Sequence, residues 1–304
     1  MINVQKNVSI KPHLNFEIGG SVSHFAEVAT PEEIIYAIKH AKSLKLPHII
    51  LGGGNNVVFC DKKKKCFLIK IAGGDVTIQG EHAYAGAGVD LFEFILKMIK
   101  AGLGGLETLS GIPGTIGGAI YGNAGAYGHS ISECVESVTI FDGKKIRKVS
   151  NKDCKFEYRE SIFKKKKWII LGADFKFQKA DPLALQKISD DITKVRWEKF
   201  GKKPRCPGSY FKNVLVKDIS KKSLKLIDPA KIRDGKIPAG YLLEEVGAKG
   251  MHEGGVYVSE FHGNIIMNDG TGSYKDLMKL VHKLRMLVKK KFGIELEEEV
   301  RYFV

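Results

Sequence analysis

The part of this chain best suited to chemistry is main chain rather than side chain. Residues 102–128 read GLGGLETLSGIPGTIGGAIYGNAGAYG and hold ten glycines. Each glycine loses more conformational freedom on folding than any other residue. Such density is expected to exclude helix and strand interiors and to mark backbone that turns through positive φ or touches a ligand. An earlier loop, Leu51-Gly52-Gly53-Gly54-Asn55-Asn56, has the same character and follows an apolar run. Two loops of exposed backbone N–H groups suit the phosphates of a large cofactor. Neither matches GxGxxG or GxxxxGK[ST], because GGGNN is followed by an extended apolar run, 56–59, rather than a helix.

These loops need elements to hold them. Thr30-Pro31-Glu32-Glu33 predicts a capped helix running to about Leu44, with Ile34, Ile35, Ile38 and Ala41 on its apolar face. Strands are predicted at 48–51, 67–71, 76–79 and 82–85, and a helix at 89–101 that Gly102 stops. Further strands are expected at 137–141, 145–149 and 168–177. Asp181-Pro182 marks a boundary, after which Leu185, Ile188, Ile192 and Val195 recur at helical spacing to about Phe200. Beyond it the pattern predicts a helix at 241–246, strands at 256–259 and 265–268, a helix at 274–292 and a returning strand at 299–304.

The composition is that of a soluble globular protein, with 43% hydrophobic and 27% charged residues. The start of the chain lacks a secretion signal and no apolar run is long enough to cross a bilayer, so a cytoplasmic location is expected. Five scattered cysteines without a CxxC pair argue for reduced thiols and against a metal site. The net charge of +15 is largely lysine, partly in runs at 62–65 and 164–167 that read as solvated loops. A nucleic-acid groove would interleave arginines and aromatics; this surface instead suits attraction of a polyanionic nucleotide.

Six segments in this order carry a resemblance: LGGGNNVVF from Leu51, GLETLSGIPGTIGGAIYGNAGAYG from Gly105, YRESIF from Tyr158, GSYFKN from Gly208, AGYLLEEVGAKG from Ala239 and LEEEVR from Leu296. Together they resemble the UDP-N-acetylenolpyruvoylglucosamine reductase family, flavoenzymes of early peptidoglycan synthesis. The resemblance implies an α+β protein with a two-lobed FAD-binding fold of the vanillyl-alcohol-oxidase type and a separate α+β substrate domain. The expected divisions are residues 1–71 (closed by 293–304), 72–181 and 182–292. It implies non-covalent FAD contacted by Gly52, Gly53, Gly54, Asn55 and Asn56 at the pyrophosphate. Ser110, Ile112, Pro113, Gly114, Thr115, Gly117 and Gly118 would line the flavin side, extended by Asn123, Ala124 and Gly125. The family usually has serine where Asn55 stands, and an amide can replace that hydroxyl as a donor.

The reaction so implied reduces an enolpyruvyl ether to a lactyl ether, with NADPH as the source of the hydride that passes through flavin N5. Negative charge then develops on the neighbouring carbon and its carboxylate. By resemblance Arg159 would hold the carboxylate, beside Tyr158. Guanidinium is permanently charged and pairs with carboxylates through parallel hydrogen bonds. Glu299, in protonated form, would donate to the enolate oxygens. Ser209 would protonate the carbon, which requires a neighbour or relay because a serine hydroxyl is a weak acid. Lys202 and Asn213 would grip the nucleotide diphosphate, and His262 and Tyr158 would face the substrate.

Read without the resemblance, Arg159 could pair with Glu157 or Glu160, Gly208-Ser209 could be a turn, and Lys203 could replace Lys202. The choice of Glu299 over Glu297 or Glu298 rests on the motif. Arg205-Cys206-Pro207 and Val214 depart from the family pattern. No tyrosine-bearing insertion separates Phe177 from Leu183, as in the family's shorter form. A flavin-dependent alcohol oxidase and a basic nucleic-acid-binding module are the competing readings. The expected partners are the UDP-sugar enol ether and NADPH, with no metal, nucleic acid or membrane, and the chain is expected to act as a monomer.

Overall fold

Thr30 begins the first helix as expected: its hydroxyl accepts from Glu33 N while the Glu33 carboxylate accepts from the Thr30 backbone, closing a capping box on Pro31–Ser43. Ile34, Ala37 and Ala41 of this helix are buried. The computed structural model describes residues 2–201 and 204–304. They form two compact units. One holds Val22–Gly53, Lys64–Glu198 and the N-terminal residues to Val8; the other holds Ser9–Ser21, Gly54–Lys63 and the described residues beyond 198.

The first unit carries two sheets. A four-stranded sheet is ordered Gln5–Ser9, Ser21–Val28, Lys64–Ile71, His48–Leu51, and its last three strands run parallel. A five-stranded antiparallel sheet is ordered Ile146–Ser150, Val135–Phe141, Ile169–Lys176, His82–Gly86, Val76–Gln79. The helix Leu91–Lys100, capped by Asp90, buries Leu91, Phe94, Ile95, Met98 and Ile99. Phe94 packs against Phe175 and Phe177 with ring centroids 5.0 and 6.2 Å apart.

Three expectations require correction. The glycine stretch does contain a helix, Ile116–Gly122, capped by the Thr115 hydroxyl on Gly118 N. Its glycines are a packing requirement: a Cβ on Gly117 would lie 3.0 Å from both the Ala87 carbonyl oxygen and the Ala87 Cβ. The lysine runs are not wholly loop, because Lys64 and Lys65 open a strand whose later residues are buried, while Lys164 and Lys165 end the short helix Ile162–Lys165. The third correction concerns the helix Pro182–Phe200, which buries Leu185, Ser189 and Thr193 but leaves Ile188 and Val195 exposed. Its described part to Glu198 belongs to the first unit. The Ser189 hydroxyl donates to the Ser110 hydroxyl at 2.8 Å and Arg196 Nε to the Gly111 carbonyl at 3.2 Å.

The second unit is built around the helix Tyr274–Phe292. Its face of Leu277, Leu280, Val281, Leu284, Val288 and Phe292 is buried. Beside it lies an antiparallel sheet of His252–Glu253, Val256–Val258 and Ile266–Asn268. Arg301–Phe303 returns to pair parallel with Val57–Phe59, and Phe59 stacks on Phe303 at 4.6 Å.

Phe94→Ala should cost about 3–5 kcal/mol of stability, by lost transfer energy and an aromatic-lined cavity. Urea unfolding of the first unit's signal measures this, and a loss below about 1 kcal/mol would show that the site collapses around the gap.

Candidate functional site

The first unit holds Gly52, Gly53 and the predicted residues from Ser110 to Gly125. Leu91 N donates to the Gly114 carbonyl, Ile116 N to the Val89 carbonyl and Gly117 N to the Ala87 carbonyl, at 2.8 to 2.9 Å. Those bonds bring Gly114 to Gly118 against residues 87–91 and set Thr115 beside Gly52, where a Cβ would come within 2.6 Å of the threonine hydroxyl. Gly114 holds φ +133° and Gly111 φ +72°, conformations that L side chains rarely adopt. Ser110 is fully buried, Ile112 is half-buried and Pro113 is exposed. Asn123 ends the helix in the left-handed region at φ 43°, and its side-chain N–H donates to the Glu157 carbonyl at 2.8 Å. Ala124 accepts from Ile131 N, and Gly125 pairs with Ser130 so closely that a Cβ would meet the His129 carbonyl at 2.4 Å.

The second half of the earlier loop is held in the second unit. Gly54, at φ +72°, would place a Cβ 2.2 Å from the His13 carbonyl, and its own carbonyl accepts from Asn15 N. Asn56 accepts from Arg301 N at 3.1 Å and its side chain donates to the Glu299 carbonyl at 3.3 Å. Gly53 and Asn55 are half-buried.

Polar bookkeeping bears on whether these residues fit a cofactor. Among the described residues, three buried side-chain oxygens lack a hydrogen-bond partner: Thr108 Oγ1, Asn123 Oδ1 and Thr193 Oγ1. Two lie within the glycine stretch and the third is on the helix packed against Gly111. Each such orphan costs about 1–3 kcal/mol unless something completes it. Bare backbone and tight glycine turns fit a dinucleotide such as FAD. The described cysteines are free thiols. Burial pushes Cys134 and Cys154 up to about 12, which keeps both protonated and unreactive at neutral pH.

Arg159 also belongs to the first unit. Glu157 and Glu160 exchange backbone hydrogen bonds at 3.0 and 3.1 Å, forcing Arg159 into the left-handed region at φ 56°. That is an uncommon conformation for a residue with a side chain. Nη2 donates to the Gly125 carbonyl at 2.7 Å, and the guanidinium lies over the Tyr158 ring at 5.3 Å. Glu160 pairs with Lys164.

In the second unit the serine-bearing segment is gripped from both sides. On one side Ser209 bridges Ile265, Tyr210 N donates to the Asn264 carbonyl, and the Asn264 side chain bonds both Phe211 N and Phe211 O. On the other, Glu299 N donates to the Tyr210 carbonyl at 2.8 Å, Phe211 bridges Glu298, and Lys212 N donates to the Glu297 carbonyl. Ser209 is exposed while Tyr210 and Phe211 are buried. Glu297 pairs with Lys212 at 2.6 Å and Glu298 with Arg285 at 3.3 Å, and Glu299 N is bonded to the serine segment. Asn213 Oδ1 accepts from Ala239 N, at the start of the helix Ala239–Glu244. His262 lies against the same helix, where a Cβ on Gly240 would meet its Cε1 at 2.6 Å, and its Nδ1 accepts from Asn264 N. Lys202, and its alternative Lys203, lie outside the described residues.

Sequence reasoning missed Asn264 and Tyr302. Asn264 is a buried amide between apolar runs, a pattern that marks a side chain tied to backbone. The Tyr302 hydroxyl makes a very short hydrogen bond with the fully buried Tyr210 hydroxyl, and nothing in the spacing of two tyrosines so far apart announces that pair.

A profile described as an FAD binding domain matches residues 22–145, which include the glycine backbone of the first unit. Fold and site therefore define the class: an FAD-dependent oxidoreductase. A second profile, the C-terminal domain of UDP-N-acetylenolpyruvoylglucosamine reductase, matches residues 199–303. The reductase of that name from Solibacter usitatus is 41% identical over 300 residues, covering 98% of this chain and 96% of its own. That of Caldanaerobacter subterraneus subsp. tengcongensis is 33% identical over 297 residues, covering 97% and 92%. The crystal structure of the enzyme from Thermus caldophilus superposes with a TM-score of 0.80 at 26% identity, covering 100% of both chains. The chain belongs to the UDP-N-acetylenolpyruvoylglucosamine reductase family.

Tyr302→Phe should cost about 1–3 kcal/mol by leaving the buried Tyr210 hydroxyl without a partner, while the Tyr210→Phe/Tyr302→Phe double variant should cost less than that single change. Burial pushes both phenols above the usual tyrosine range. Unfolded tyrosines lose their protons near 10.0 while the native pair retains them, so stability falls as pH rises above that value. Denaturant titrations at stepped alkaline pH should show a shallower fall in the double variant.

Proposed function

We propose that this protein reduces UDP-N-acetylglucosamine enolpyruvate to UDP-N-acetylmuramate at the expense of NADPH, a step in peptidoglycan precursor synthesis. When bound, FAD supplies a carrier that accepts hydride from NADPH and returns it to the terminal carbon of the enol ether. The glycine backbone of the first unit holds that dinucleotide.

The protein's own side chains manage the charge and the proton. Arg159, anchored on the Gly125 carbonyl and the Tyr158 ring, binds the enolpyruvyl carboxylate through guanidinium N–H donors. Glu299 in its protonated form donates to the carboxylate-side oxygens as negative charge builds there. Ser209 Oγ delivers a proton to the carbon bearing the carboxylate, and the serine then recovers its proton from a relay. Asn213 and Lys202 hold the nucleotide diphosphate, His262 faces the substrate, and the protein works as a single chain, which light scattering would register as the mass of one copy.

One register supports this assignment of roles more than any other observation. Glu299 N donates to the carbonyl of Tyr210, the residue that follows Ser209, and this backbone bond supports pairing the glutamate with the serine. No comparable observation favours an alcohol oxidase or a nucleic-acid-binding module.

The purified protein should be yellow, and its NADPH oxidation should depend on the enol ether; turnover that ignores this substrate defeats the reading even with FAD bound. Ser209→Ala should leave flavin reduction by NADPH near normal and slow reoxidation by the enol ether by at least about a hundredfold, the scale of a lost general acid. Equal losses in both half-reactions, measured by stopped flow, would remove Ser209 from the proton transfer.

A further inference from the structure

Residues 214–237 of the second unit form an excursion that no role assigned above uses. It begins and ends at one place. Val214 pairs with Ile237 and Leu215 with Lys236 as an antiparallel stem, and Val216 N donates to the Gly235 carbonyl at 2.9 Å. Asn213 closes the stem, its Oδ1 accepting from Ala239 N at 3.1 Å. Further out, Asp228 N donates to the Tyr241 hydroxyl at 3.3 Å, which ties the excursion back to the helix Ala239–Glu244. Ile227 and Ile237 are buried in the core of the unit. The excursion is therefore a packed element that presents its polar side chains from a fixed base.

Those side chains are mostly of one sign. The excursion carries seven cations against three carboxylates. Lys217, Lys221, Lys222, Lys225, Lys231 and Arg233 are exposed, and among the described residues none of the six is ion-paired. Elsewhere in the same unit Lys212, Lys249, Lys283, Arg285, Lys289 and Lys291 each face a carboxylate. Like charges gathered on one element repel one another and weaken the compact state. Left unpaired, they act outward, over about 10 Å at 0.1 M salt. Lys217 directly follows the stem, and Lys225 and Lys231 each stand three residues from the Asp228 tie. The excursion contains no aromatic residue on which bases could stack, unlike a surface for single-stranded nucleic acid.

We propose that the excursion 214–237 is an electrostatic collector for the anionic nucleotide substrate, drawing its diphosphate and carboxylate toward Asn213 and speeding capture without joining the chemistry. This rests on the reading that Asn213 holds the diphosphate of the UDP-sugar enol ether. A cluster of cations steering an anion raises its association rate by about 10- to 1,000-fold, and salt abolishes the gain.

The test is the second-order rate at which the enol ether reoxidises the reduced flavin, followed by stopped flow below saturation and at stepped salt. Lys217→Gln/Lys221→Gln/Lys222→Gln/Lys225→Gln should be about tenfold slower than the parent at low salt. The two should converge at 1 M salt, where screening shortens the reach to about 3 Å. At saturating substrate the two rates should be equal. A control with the same loss of charge, Lys42→Gln/Lys97→Gln/Lys100→Gln/Lys144→Gln on exposed positions of the first unit, should be slowed by less than about twofold. If the fourfold variant does not fold, Lys217→Gln/Lys221→Gln and Lys222→Gln/Lys225→Gln carry the comparison, each slowed about threefold. An unchanged low-salt rate overturns the proposal. Equal slowing in the control overturns it too, because the effect is then one of net charge. Slowing that survives 1 M salt, or that appears at saturation, makes the lysines direct contacts and overturns steering. A parent whose reduced flavin the enol ether leaves untouched overturns the substrate reading, and the collector falls with it.

Discussion

The first unit depends on main chain meeting main chain without side chains between. Gly117 N donates to the Ala87 carbonyl at 2.8 Å, and a methyl group on Gly117 would sit 3.0 Å from that same oxygen. This contact fixes the short helix 116–122, and with it Thr115, Asn123 and the turn before them. A side chain here would separate the helix from residues 87–91 and spread a surface whose value lies in closely spaced N–H groups. The glycines thus act through what they allow to approach. Ordinary hydrophobic packing, led by Phe94, Phe175 and Phe177, then holds the two contacting segments rigid.

A different device organises the second unit. Ser209 to Lys212 form the middle of three extended segments, bound to residues 264–265 on one side and 297–299 on the other. The buried Asn264 amide satisfies both the N–H and the carbonyl of Phe211, locking register at the residue where a slip would be most damaging. Asn264 N also donates to His262 Nδ1, and Asn213 Oδ1 caps the helix against which His262 rests. The residues assigned to the nucleotide and to the proton transfer therefore share one hydrogen-bonded framework.

How much of this was legible in the sequence depended on whether the signal was local. The helix Tyr274–Phe292 was readable to the residue, because a capping serine, a 3.6-residue stripe and a following glycine all lie within it. The strand Ser21–Val28 was missed, although it is central to a parallel sheet, because its polar residues interrupt the apolar pattern. Glycine density was read incorrectly as a bar to helix. A seven-residue helix with a threonine cap tolerates glycines when tertiary contacts demand them. In the helix Pro182–Phe200 spacing revealed which residues share a side, not which side meets a partner.

The clamp around the serine has a consequence for how the molecule is made. Lys212 and Glu297 stand 85 positions apart in sequence yet are ion-paired, so the segment they flank cannot take its final form while the chain is still short. During synthesis the first unit can finish its five-stranded sheet once the strand Ile169–Lys176 has left the ribosome. The serine segment waits for the returning strand, whose arrival closes one edge of the framework. A nascent chain halted before that strand would hold a finished five-stranded sheet beside an unassembled serine segment.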